Sequence, residues 1–266
     1  MRKLFILIAL LVSLAISGTL YAAPRIDLRI METTDLHVHM VNYDYYKDAP
    51  VVDFGLANTA TLIKQARKET QNNLLFDNGD LIQGNPLGDF VAKGKILKYG
   101  EVHPVFKAMN LLGYDAATVG NHEFNYGLDF LLKTLKGAEF PYVSANVFVD
   151  DGDKNPRNDQ TYFQPYTILQ KQFIDQDGGL HSVNVGVIGF LPPQIMQWDK
   201  HHLEGKVIAK DIVQTAKQFI PRLKADGADI VIAITHSGLS TGEGAAYAEN
   251  AAFDLSKVNG IDVMLM

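Results

Sequence analysis

The chain has no cysteine, a single tryptophan and no excess of positive charge, with 24 Lys and Arg against 30 Asp and Glu for a net charge of −6. Without cysteine there are no disulfides, no thiolate metal ligands and no lipid-modified thiol. Imidazole and carboxylate are then the only strong metal ligands on offer. The acidic balance argues against a nucleic-acid polymer or an anionic membrane as partner. Long apolar runs are also scarce. The one at residues 4–16 follows Arg2 and Lys3 and leads to Ala22 and Ala23. That is the pattern of a secretory signal peptide, and it is too short to be a comfortable membrane span. Residues 1–22 are expected to be an export signal, with cleavage after Ala22 preferred and after Ala23 the alternative. Residues 23–266 would then act in the periplasm without a membrane anchor.

What remains suits one large α/β domain. With 266 residues and 47% apolar content the chain can bury a sizeable core. Apolar strand-like runs at 28–33, 73–76, 116–119, 142–149, 183–190 and 230–234 alternate with helical patterns. The helical patterns fall at 54–69, 102–112, 128–135, 212–226 and 244–255, with an interruption or bend expected at Pro221. Residues 150–160 form a polar insert, read as an exposed loop.

Four polar clusters close four of the strand-like runs. They are Asp35-Leu36-His37, Asp77-Asn78-Gly79-Asp80, Gly120-Asn121-His122-Glu123 and Thr235-His236-Ser237-Gly238. Ligands of open α/β sheets collect beyond the carboxyl ends of strands, so these clusters can converge. Together they would bring carboxylates, an amide and imidazoles, a donor set for Zn, Mn, Fe or Co. On an extended segment Asp35 and His37 share a face and can grip one ion. Asp80 follows a glycine, where the backbone can turn sharply, and a carboxylate there can bridge two ions about 3.5–4 Å apart. Asn121 offers a neutral oxygen, and His122 is left free for proton transfer or charge stabilisation.

Other features read as bland. His39 is a nearby polar residue, and Tyr43, Tyr45 and Tyr46 are packing and rim. Trp198, His201 and His202 are surface. The stretch from Gly238 to Gly244 lacks the lysine of a phosphate loop.

The series D-x-H, G-D-x-x-Q-G (79–84), G-N-H-E-F (120–124) and H-S-G resembles the calcineurin-like metallophosphoesterases. Within them it is similar to the 5′-nucleotidase superfamily, and more closely to the branch acting on nucleoside 2′,3′-cyclic phosphates and 3′-nucleotides. The resemblance runs through 31–37, 77–88, 115–128 and 189–200 and covers essentially the whole mature chain. It implies a four-layer sandwich, two mixed β-sheets face to face with helices outside. It implies two divalent ions, with Asp35 and His37 on one, Asp80 bridging, and Asn121 and His236 on the other. The implied reaction opens 2′,3′-cyclic phosphates to 3′-nucleotides and removes the 3′-phosphate, using a metal-activated hydroxide. His122 and Asn125 are the implied catalytic pair. Relatives in the 5′-nucleotidase branch carry Asp where this chain has Asn125. An amide accepts the imidazole hydrogen bond but brings no charge of its own. The other readings are a 5′-nucleotidase or UDP-sugar hydrolase, and a catalytically dead secreted binding protein. A small nucleotide and a monomeric enzyme are expected, and no residue is assigned to substrate contact.

Residues 260–266 begin an apolar strand and stop within it. In the family this strand leads into a Gly-His-x-His segment with one ligand for each ion, and then into a substrate domain. The expectation is a C-terminally truncated catalytic domain that is poorly active by itself.

Overall fold

The computed structural model describes residues 23–94, 96–98, 100–153, 155–240 and 247–266. The expected signal peptide lies outside the described residues, as does 244–246 of the expected last helix. From the N-terminus the elements are β1 (Arg29–Thr33), β2 (Tyr43–Asp44), β3 (Ala49–Pro50), α1 (Leu56–Lys68), β4 (Asn73–Asp77), α2 (Pro86–Lys93), α3 (Pro104–Leu112) and β5 (Ala116–Thr118). A 3-10 turn (His122–Phe124) follows, then α4 (Leu128–Leu135), β6 (Tyr142–Val143), β7 (Val147–Val149), β8 (Tyr166–Ile174) and β9 (Leu180–Phe190). The remainder is α5 (Ile195–Trp198), α6 (Lys200–Leu203), β10 (Val207–Ala209), α7 (Ile212–Ala225), β11 (Ile230–Thr235), α8 (Ala252–Leu255) and β12 (Val263–Leu265).

Two four-stranded sheets dominate, ordered β1-β4-β5-β6 and β12-β11-β9-β8. Strand alternation builds the layers between and around them. Leu74, Phe76, Ala116 and Val143 face Val185, Val187, Ile232 and Ile234 across the gap between the sheets. On the outer side of the first sheet, Leu75 and Ala117 meet Ile63, Phe106, Met109 and Leu131 of α1, α3 and α4. On the outer side of the second, Ile188, Val231 and Ala233 meet Ala216, Phe219, Ile220 and Leu223 of α7. The order helix, sheet, sheet, helix is the expected sandwich. Fully burying a side chain such as Phe76 contributes about 2 kcal/mol. Gly189 of β9 lets the sheets close up, since a Cβ there would lie 2.1 Å from the Val143 carbonyl.

Several details differ from the sequence reading. Of the helix expected at 244–255, only Ala252–Leu255 is helical among the described residues, and α2 and β10 were not expected. The first sheet is parallel throughout. Helices lie on each of its connections, and such crossovers yield parallel neighbours. Only the second sheet is mixed, because β8 and β9 form a hairpin. The expected strand at 142–149 is split into β6 and β7. Between them Asn146 donates to the Leu191 and Lys210 carbonyls at 2.8 and 2.9 Å and accepts from the Leu191 N–H at 3.1 Å. α7 runs on through Pro221, which lies on its exposed side, as does Lys217 one turn before it, where proline's missing N–H is tolerated best. The strand β8 was not anticipated, its polar Gln170-Lys171-Gln172 being tolerated at a sheet edge.

Candidate metal centre

The loops after β1, β4, β5 and β11 meet at one end of the two sheets. The Asn78 side chain joins the sheets there, donating to the Thr235 carbonyl at 3.0 Å.

Asp35 and His37 come together by a route that strand alternation does not supply. The segment is not extended: Asp35, His37 and Val38 have φ of 52°, 44° and 59°. Left-handed backbone costs a non-glycine residue about 1 kcal/mol or more. Three bonds to the next loop hold it, from Asp35 N–H to Gly79 O (3.0 Å), His37 N–H to Asp80 O (2.9 Å) and Val38 N–H to Leu81 O (2.8 Å). His37 Nε2 then lies 3.6 Å from Asp35 Oδ1.

Asp80 occupies the middle. It too is left-handed, at φ 59° after Gly79. Its Oδ1 accepts the His122 backbone N–H at 2.7 Å, and its Oδ2 lies 3.2 Å from His236 Nε2. Asn121 Oδ1 is 3.1 Å from the same His236 nitrogen. Ligand atoms of Asp35, His37 and Asp80 lie within 4.8 Å of one another. Gly120 makes this approach possible, because a Cβ there would stand 2.4 Å from Asp80 Oδ1 and 2.9 Å from His236 Cε1.

Both imidazoles are oriented from behind. His37 Nδ1 lies 2.7 Å from the Gln83 carbonyl and His236 Nδ1 2.7 Å from the Asn78 carbonyl. A carbonyl only accepts, so each Nδ1 donates and each Nε2 is turned to the centre, the arrangement that typifies metal-binding histidines. The electrostatics match. The His37 imidazole holds the Asp35 carboxyl down at about 2, and the Asp35 carboxylate lifts His37 to about 9. Burial alone would depress His236, but the Asp80 carboxylate raises it to about 9. The site is thus short of positive charge, which the fold partly replaces with protons.

Two acids that sequence reasoning passed over support the loops. Glu123, 1% exposed, accepts backbone N–H groups from Asp80 (2.8 Å), Leu81 (2.5 Å), Ile82 (3.2 Å) and Gly120 (2.6 Å). Burial, and then the charge of Asp80, pushes its carboxyl up. Asp77 is fully buried and raised by that burial to about 8, while accepting from the Thr33 hydroxyl at 2.6 Å. Glu123 stood inside the G-N-H-E-F block, but its role depends on partners about forty residues away. His122 reaches the centre from the side. Its Nε2 is 4.0 Å from Asp80 Oδ2 and its ring centroid 5.1 Å from that of His37. Its Nδ1 is 2.6 Å from Asn125 Oδ1.

His39 packs on Phe54, with centroids 4.5 Å apart. The segment 198–202 is not merely surface. Trp198 lines a cleft of about 270 Å³ with Asp35, Asn121 and His236, and His202 Nε2 is 3.1 Å from the Asn125 carbonyl. A larger groove, about 650 Å³, runs along α7 past Lys210, Lys217 and Lys257 and holds none of these donors.

The family profile of calcineurin-like phosphoesterases matches residues 28–266. The chain belongs to this family. It is 51% identical over 259 residues to a 2′,3′-cyclic-nucleotide 2′-phosphodiesterase/3′-nucleotidase of Yersinia enterocolitica, covering 97% of this chain and 39% of that protein. A crystal structure of the calcineurin-like phosphoesterase YfkN from Bacillus subtilis aligns with a TM-score of 0.85 and 49% identity, over 91% of this chain and 71% of that one. A 5′-nucleotidase of Vibrio parahaemolyticus is more distant, 32% identical over 70% of this chain and 30% of its own length. The chain therefore spans about two fifths of the Yersinia relative. Family members use divalent metal ions, and the Asp35–His37–Asp80 group, with its Nε2 atom freed by a carbonyl behind the ring, fits such an ion. No helix among the described residues is long and apolar enough to cross a membrane.

Proposed function

We propose that this domain hydrolyses nucleoside 2′,3′-cyclic phosphates to 3′-nucleotides, and 3′-nucleotides to nucleoside and phosphate. The observation that carries the reading is the convergence of Asp35, His37, Asp80, Asn121 and His236, three of which line the cleft. It is joined by 51% identity to a relative that bears that activity as its name. Asp35 and His37 would hold one divalent ion, Asn121 and His236 a second, and Asp80 both. Mn, Co, Zn and Fe all suit these donors. Such ions, when bound, lower the pKa of a water molecule and neutralise charge on the phosphoryl oxygens.

The chain's own residues do the remaining work. The Gln83 and Asn78 carbonyls aim the two ligand imidazoles, and Glu123 fixes the backbone beneath Asp80. His122 stands at the cleft to stabilise the phosphoryl charge or protonate the leaving oxygen, with Asn125 orienting it. Thr34, Pro192, Trp198, Glu249 and Asn250 bound the space beside the ligands, which the small-nucleotide reading fills with substrate. The basic n-region and apolar run of residues 1–22 support export to the periplasm.

Metal-replete protein assayed with 2′,3′-cyclic AMP, 3′-AMP and 5′-AMP tests this. Turnover of the first two supports the reading. Preference for 5′-AMP would move it to the 5′-nucleotidases. Inactivity both of residues 23–266 and of a longer form carrying the expected Gly-His-x-His segment would favour a secreted binding protein.

A further inference from the structure

The His122 imidazole ends a chain of three side chains. Its Nδ1 lies 2.6 Å from Asn125 Oδ1, and the Asn125 amide nitrogen lies 2.9 and 3.2 Å from the two carboxylate oxygens of Asp199. Each link has one direction. A carboxylate accepts, so the Asn125 amide NH₂ faces Asp199, its carbonyl oxygen faces His122, and Nδ1 is the donor. The lone pair of the neutral ring then sits on Nε2, the atom turned toward Asp80 at 4.0 Å. Asparagine alone leaves this open, because its amide has nearly the same shape either way round.

The placement of Asp199 supports a dedicated role. It is 3% exposed. It stands at the N-cap of α6, where an Asp side chain ordinarily accepts a backbone N–H, yet it makes no capping bond. The adjacent Lys200 pairs with Glu204 at 3.2 Å. Among the described residues its carboxylate accepts side-chain bonds from Asn125 alone. A buried carboxylate without a cap or a cation is unfavourable, so its contact with Asn125 is what the fold retains it for. The same segment also holds the loop from the other side, through His202 Nε2 at 3.1 Å from the Asn125 carbonyl.

We propose that Asp199 is a positioning residue that acts through Asn125 to hold His122 as the Nδ1–H tautomer with Nε2 turned toward Asp80. Its consequence for turnover rests on the hydrolase reading; the tautomer itself does not.

Long-range ¹H–¹⁵N spectra of the imidazoles at pH 8.5 test the tautomer, with His122 assigned by difference from H122N. Wild-type protein gives a single Nδ1–H pattern, and Asp199→Asn gives a mixture because either amide orientation can then pair. With bis(p-nitrophenyl) phosphate and Mn²⁺, D199N lowers kcat about 10- to 100-fold with KM within about twofold, the range for lost outer-sphere orientation. Asn125→Asp alone sets two carboxylates against each other and is impaired. N125D/D199N reverses the order, returns a carboxylate to His122 and recovers to within about threefold of wild type. A D199N protein with wild-type kcat and an undisturbed tautomer overturns the proposal. If D199N does not fold, a double variant no better than N125D does the same. If the wild type hydrolyses no ester, the proposed reaction fails while the spectra still decide the role of Asp199.

Discussion

The backbone N–H of Asp80 donates to the Glu123 carboxylate at 2.8 Å, so one buried acid ties the loop carrying Asp80 to the loop carrying Asn121 and His122. Glu123 accepts four backbone N–H groups in all, from Asp80, its neighbours Leu81 and Ile82, and Gly120.

Glu123→Gln turns an amide NH₂ toward those donors. Unfolding free energy should fall by about 3 kcal/mol, the cost of leaving buried donors without an acceptor. For a domain of this size that is a Tm loss of roughly 6–12 °C by calorimetry. A Tm within a degree or two of wild type would show that the clamp is dispensable.

Metal binding should expel protons. In the metal-free protein His37 and His236 are raised to about 9, so both carry a proton at pH 7 that a bound ion must displace. Apparent affinity should climb between pH 6 and pH 9. Calorimetry in buffers of different ionisation enthalpy should give close to two protons released at pH 7, and a release of zero contradicts the charge state. The sign for the metal-free fold is opposite. Stability from His37 is fully present below pH 6.5 and lost as pH rises through about 9. That from Asp35 is present above 3.8 and lost as pH falls through about 2.

Glu32 makes a second pH-dependent contribution, away from the cluster. Burial on β1 raises its carboxyl from 4.5 to about 7, and its Oε1 has no partner among the described residues. The folded state keeps a proton that the unfolded chain releases above 4.5, so stability falls from there to about 7 and stays lower beyond. Glu32→Gln should be neutral at pH 5 and stabilising by roughly 1 kcal/mol at pH 8, discounting for partial exposure. Urea midpoints at the two pH values measure it, and an equal difference at both removes Glu32 as the source.

Gly120→Ala places a methyl 2.4 Å from Asp80 Oδ1 and 2.7 Å from its backbone nitrogen. Displacing the shared ligand by about an ångström should cost on the order of 100-fold in kcat/KM. Mn²⁺ titration should show weakened binding. A G120A protein with wild-type turnover would place the reacting groups elsewhere.

Much of this was legible beforehand, and for a local reason. The α/β alternation, the strand ends near Thr33, Asp77, Thr118 and Thr235, and the ligand residues beyond them follow from hydrophobic period and side-chain chemistry, which neighbouring residues carry. Asp35, His37, Asp80, Asn121 and His236 stood in those strand-end clusters and were assigned as candidate ligands by the family resemblance, and their side chains lie close together. The means by which Asp35 and His37 meet was not legible, since it depends on left-handed backbone held by bonds to residues 79–81.

What the sequence by itself determined was the α/β alternation, the candidate donors and the family, because period and residue type are written along the chain. What only the tertiary structure decided was how those donors are aimed. Glu123 clamps a loop about forty residues away, Asn146 breaks a strand by bonding to Leu191 and Lys210, and Asp199 backs Asn125 from 74 residues downstream. Each of these is a buried polar side chain whose partner is a group on another segment. Hydrogen bonds are directional and short, so their pairing exists only once packing has brought the segments together.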